Sequence, residues 1–254
     1  MSLAGVGCTR PPTQAPQSQD EKDVRAAVGS FDRANAQADG EGLLAQVTDG
    51  YLEHVLGGLR ITRANILDEP DRYLGFDLRR KVRSVSVQGD KASVDSTVPA
   101  GQRGVASLVV TLVKQSGKWL VDDQRGGSAG AAEGVHRVDI RMQDFEFIID
   151  PKSFVPDVPL VIHAVNGGDQ PHMFALWRIT LDLPPIKLIE STDTPPGDQY
   201  VHSPTFIPGE EGDVTLSKGI PPGRYLLVCL LGDVTSEVLT PHYDRGMTLD
   251  FAVP

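Results

Sequence analysis

Residues 225–247, YLLVCLLGDVTSEVLTPHYDRGM, pass from a continuous apolar run through Cys229 and a polar loop to His242 and Met247. Such a run, preceded by Pro221, Pro222 and Gly223, predicts a buried strand that ends at the cysteine. Twelve residues, Leu230 to Pro241, separate the cysteine from His242. Upstream, VNGGDQPHMFAL (165–176) places a second histidine, His172, after a Gly-Gly-Asp turn and, like His242, directly after a proline. Two imidazoles, a thiolate and a thioether are the donor set that selects copper in a trigonal site with a weak axial sulfur. Taken singly, a cysteine in an apolar strand is a packed thiol and a methionine is core filling. In a chain with six histidines and four methionines, four donors in this order argue for a metal.

Outward from these segments, the second half reads as all-β. HRVDIRMQDFEFII (136–149) alternates, PLVIHAV (159–165) is a buried-type run, and HMFALWRI, GRYLLVCLL and MTLDFAV follow with turns between them. The paired prolines 184–185, 195–196 and 221–222 fall outside these runs, as central strands that need their backbone donors require. About seven short strands of this kind predict a β-sandwich.

VNGGDQPHMFAL, DFEF at 144–147, the Pro-Gly-Arg-Tyr turn at 222–225 and the Cys229–His242–Met247 order together resemble the cupredoxins, the small blue copper proteins, over residues 136–254. The resemblance implies a Greek-key sandwich holding one type 1 copper ion on His172, Cys229, His242 and Met247. It also implies that His242 is the exposed ligand, ringed by apolar side chains, through which electrons pass to a redox partner protein. Two departures stand out: the Cys-to-His loop is long for the family, which predicts a more open site, and Met173 follows His172 where asparagine is common. Val228 and Leu230 flank Cys229, so the neighbouring histidine of multicopper oxidases is absent, as is the second nearby cysteine of a dinuclear centre. The expectation is an electron carrier, not an enzyme. The alternative is a protein that sequesters or delivers copper without redox duty, favoured if the long loop leaves the site open.

The first half has a different pattern. Val24, Ala27, Val28, Phe31 and Ala34 recur at helical spacing over Asp20 to Ala38, and a second helix is predicted from Gly42 to Leu56. After Gly57-Gly58 the period changes: KVRSVSVQGDKASVDSTV (81–98) and GVASLVVTLVKQSGKWLVDD (104–123) alternate, with turns at Gly89-Asp90 and Ser116-Gly117. Helices followed by such a sheet resemble the NTF2-like (SnoaL-like) α+β cone over residues 20–125. A cone can enclose chemistry, so Tyr51, His54, Asp77 and Asp95 are its candidates. Without a His/Asp or paired-carboxylate spacing, Tyr51 reads as a core aromatic, His54 as a surface or core side chain, and Asp77 and Asp95 as solvated strand-edge carboxylates. The unit is expected to hold, space or dock its neighbour.

GGSAGAAEG (126–134) reads as a linker, giving a tether at 1–19, an α+β domain at 20–125 and a copper-binding domain at 135–254. The formal net charge of -10 lies wholly after residue 130: 16 basic and 16 acidic residues precede it, 8 and 18 follow. That balance argues against nucleic acid and leaves room for a basic protein partner on the second half, the other reading being acidic residues kept for solubility. Cys8, after small residues and before a Pro/Gln/Ser/Thr-rich stretch, resembles the lipid-bearing cysteine of a bacterial lipoprotein, which implies an extracytoplasmic protein whose membrane contact is that anchor.

Overall fold

The structure, a computed structural model, describes residues 17–130, 134–180, 197–236 and 240–254. Helix α1 (Gln19–Ala36) opens with a capping box between Ser18 and Glu21 and buries Val24, Val28, Phe31 and Ala34. The second helix expected from the sequence is broken. It forms as α2 (Gly40–Leu44), α3 (Asp49–Tyr51) and a π turn (Leu52–Leu56), because residues 46–48 leave the helix to pair with a strand. Thr48 N–H donates to Val121 O, and Val121 N–H donates to Gln46 O. Two further helices lie where the sequence signalled none, α4 (Arg63–Asp68), capped by Thr62 and Asn65, and α5 (Pro70–Tyr73), started by its proline.

Strands β1 (Lys81–Gln88), β2 (Lys91–Ala100), β3 (Gly104–Gln115) and β4 (Lys118–Gly126) form the expected antiparallel meander. Both central residues of the Ser116-Gly117 turn have positive φ, 51° and 81°, as a tight two-residue hairpin needs. Between the helices and this sheet lies a core that includes Phe31, Tyr51, Leu112, Trp119 and Val121. The buried Arg80 guanidinium is held there by Asp32 (3.0 Å), Ser96 (3.0 Å) and Gln124 (2.7 Å).

In the second half β5 (His136–Gln143), β6 (Glu146–Ile148), β7 (Leu160–Asn166) and β10 (Glu211–Leu216) form one layer. Strands β8 (Ala175–Ile179), β9 (Gly197–His202), β11 (Gly223–Val228) and β12 (Thr248–Val253) form the other. A single buried core that includes Met142, Phe174, Phe206, Tyr225 and Phe251 fills the space between them.

The two halves share a sheet. The C-terminal part of β3 pairs with β4, and the start of β3 pairs with β10, Ala106 opposite Val214 and Val105 opposite Thr215. Val98, Ala100, Ala106 and Leu108 accordingly pack into the core of the second half. The backbones meet closely at this junction: a side chain on Gly126 would stand 2.2 Å from Glu211 O and 2.5 Å from a ring carbon of Phe206.

Candidate metal centre

His172 is placed by the loop that follows β7. Asn166 closes that loop: its amide nitrogen donates to Gln170 O (2.7 Å) and Phe206 O (2.8 Å), and its amide oxygen accepts from Gly168 N–H (2.9 Å). His172 is then pinned by a two-way backbone pair with Phe206, at 2.9 and 2.8 Å. Cys229 is the first residue beyond β11, and its N–H donates to Met247 O at 3.2 Å. The long loop between Cys229 and His242 is closed at its base. Asp233 N–H donates to Thr240 O (2.7 Å) and His242 N–H to Leu231 O (2.7 Å), so the cysteine and histidine stay together whatever lies beyond residue 236. Gly246, at φ 104°, turns the chain from His242 back to Met247 and β12.

These elements bring His172, Cys229 and His242 together, one donor atom of each within 4.8 Å of the others. His172 Nδ1 is 3.1 Å from His242 Nδ1, and that nitrogen is 3.4 Å from Cys229 Sγ. Donors around one ion at about 2.0–2.3 Å are spaced in this way. Met247 is fully buried in the same core, its backbone tied to both Cys229 and His242.

The opposite edge of the His172 ring meets a carboxylate. Asp144 Oδ1 accepts from Nε2–H at 3.0 Å, which leaves the Nδ1 lone pair aimed at the other donors. Asp144 is in turn held by Asp169 N–H. There is room for this pair because residue 168 is glycine: a Cβ there would sit 2.4 Å from Asp144 Oδ1 and 2.8 Å from His172 Nε2.

Burial drives the electrostatics. It lowers the pKa of His242 to about 4, helped by nearby His172 and opposed by Asp233 and Asp144. Burial also lowers that of His172, against the Asp144 hydrogen bond. Both rings are therefore neutral at neutral pH with lone pairs to give. Burial pushes the Cys229 thiol up to about 11, although Met173 and Leu231 N–H groups point at the sulfur, so a metal arriving there displaces one proton.

Two expectations are corrected. His242 is not the exposed ligand: it is 0% exposed, with the Phe145 ring edge-on against it at 5.3 Å and 87°. Nor does the long loop open the site, since both histidines and Cys229 are buried and the loop base is paired. The DFEF segment by itself gives Asp144 no role; only a contact across 28 positions assigns one.

The remaining candidates are dispersed. Tyr51 is buried against Phe31, His54 lies 3.5 Å from Asp123, Asp77 accepts from Arg79 N–H, and Asp95 accepts from Ser84. The His54–Asp123 approach is a grouping that spacing did not show. His163 pairs with Asp213 at 2.7 Å, His136 with Ser153 O and His202 with Ser203 O. Cys8 lies outside the described residues.

No protein-family model matches the chain, and no curated protein matches it. Among solved structures, auracyanin B is 21% identical and the match covers 51% of this chain and 96% of that one, with a TM-score of 0.34. Auracyanin A, described as a "blue" copper protein from Chloroflexus aurantiacus, is 18% identical over 46% of this chain and 99% of that one, with a TM-score of 0.30. An NTF2-like protein of unknown function from Shewanella baltica is 11% identical over 44% of this chain and 94% of that one, with a TM-score of 0.32.

Proposed function

We propose that this protein carries single electrons on one type 1 copper ion, which His172, Cys229, His242 and Met247 would hold. The observation that supports this reading is the convergence of two imidazole nitrogens and a cysteine sulfur in a fully buried pocket. A copper ion held there would supply the Cu(II)/Cu(I) couple. The chain's part is to hold the donors in one arrangement: Asp144 fixes the tautomer of His172, the Phe206 pairing fixes its backbone, and the loop base fixes His242 against Cys229. A rigid, dry site limits the rearrangement that accompanies a change of charge.

On this reading the protein catalyses no transformation, and the α+β half is a support whose sheet continues into the copper-binding half. The proposed partner is a basic redox protein docking on the acidic second half. The proposed setting is extracytoplasmic, with Cys8 as a lipid anchor; no helix of the described residues is long and apolar enough to cross a membrane. Copper storage or delivery draws no support from a site whose two histidines are fully buried.

The test is spectroscopic. Protein loaded with Cu(II) should show an intense thiolate-to-copper band in the visible, and Cys229→Ser should abolish it. A colourless protein at full copper occupancy overturns the proposal.

A further inference from the structure

His242 turns Nδ1 toward the other donors, while its Nε2 is buried without a hydrogen-bond partner. An unsatisfied buried polar atom costs about 1–3 kcal/mol, so the packing around it keeps water out at some expense. Part of that packing is Phe145, whose ring stands edge-on to the imidazole with 5.3 Å between ring centres. It occupies the second position of the two-residue turn joining β5 to β6, where Gln143 pairs with Glu146. Its φ is +65°, a left-handed conformation that costs an L-residue about 1–2 kcal/mol and that glycine adopts freely. Strain in a bulky residue beside a site is a reason to look for a role.

The same turn reaches both histidines. Asp144 holds His172 from one side, and the next residue, Phe145, packs edge-on against His242. Arg245 lies over the Phe145 ring, its Cζ 6.0 Å from the ring centre, and is itself anchored to buried Asp233 at 3.3 Å. Phe145 is thus packed between an imidazole and a guanidinium, on a strained turn at the end of the short strand pair β5–β6.

We infer that Phe145 controls access to the metal centre: solvent and metal ions reach His242 by displacing this ring. The passage of copper rests on the function proposed above, whereas the cover is a property of the chain alone. Phe145 touches a ligand and acts through it, as a positioning residue.

The test uses the full-length metal-free protein treated with diethyl pyrocarbonate, with each modified histidine quantified by mass spectrometry. His54, whose side chain is 60% exposed, serves as the internal standard, and His163, paired with Asp213, reports general loosening. In Phe145→Ala the His242 rate relative to His54 should rise by about tenfold or more while His163 stays protected. Phe145→Tyr, which keeps the ring, should restore protection. Phe145→Gly, which removes ring and strain together, should also open His242, without the general loosening that would expose His163. Equal His242 rates in the wild type and Phe145→Ala, or a parallel rise at His163, overturn the inference. In copper-loaded protein the rate of transfer to a chelator should rise in Phe145→Ala in the same order. If the chain takes up no copper, the proposed function falls, and the modification rates still decide whether Phe145 is the cover.

Discussion

Asp144 Oδ1 lies 3.0 Å from Nε2 of His172, on the far side of the ring from the Nδ1 that faces His242 at 3.1 Å. One carboxylate therefore decides which nitrogen of a proposed ligand carries the proton. Asp144→Asn keeps the shape and an acceptor oxygen but removes the charge. Metal affinity should fall by about 10- to 100-fold, the range usual for groups that orient ligands. Competition titration against a chelator reads it, and an unchanged affinity would remove Asp144 from the centre.

Gly168→Ala should act through the same contact. Its Cβ would fall 2.4 Å from Asp144 Oδ1 and 2.8 Å from His172 Nε2, so the hydrogen bond and the methyl group cannot coexist. Affinity should drop in the same direction, and the double variant with Asp144→Asn should lose less than the two single losses combined. Fully additive losses would show that the two residues act separately.

The junction between the halves offers a remote test. Gly126→Ala would press on Glu211 O and the Phe206 ring and should destabilise the protein by about 1–3 kcal/mol in denaturant titrations. Phe206 pairs in both directions with the backbone of His172, so copper affinity should weaken too. Gly29→Ala, on the exposed face of α1 with nothing within 4 Å, should instead stabilise by about 0.5–1 kcal/mol and leave affinity alone.

Tyr225 sets an alkaline limit. Its hydroxyl donates to Pro221 O at 2.8 Å, its ring packs against Phe251 and Tyr200, and burial raises its pKa from 10.0 to about 12. The folded state holds this proton more tightly than the unfolded state. The contribution is therefore complete below about pH 10 and is lost as pH rises from there through about 12. Tyr225→Phe should cost about 0.5–1.5 kcal/mol at pH 7 and flatten the alkaline decline. Denaturant midpoints across the alkaline range measure both, and an equally steep decline in the variant would assign it to other groups.

Much of this architecture was legible because the signals are local. Strand alternation in 81–98 and 104–123, the Ser116-Gly117 turn and the capped, amphipathic α1 each depend on residues a few positions apart. The break in the second helix was not legible, since it comes from pairing with Val121, more than seventy residues onward. Helices α4 and α5 were missed because each is barely a turn or two long and buries at most one side chain, which leaves no periodicity to read. At the centre, the donor types and their order could be read from 172, 229, 242 and 247, whereas Asp144 and Phe145 look like ordinary residues of an alternating strand.

By itself the sequence determined the candidate donors and the strands that carry them, because side-chain chemistry and short-range periodicity are properties of neighbouring residues. Tertiary structure alone decided that β3 belongs to both halves, that the loop base closes on Cys229 and His242, and that one turn sets Asp144 on His172 and Phe145 against His242. These features come from contacts between segments far apart in the chain. Their free energy exists only once packing has brought the segments together.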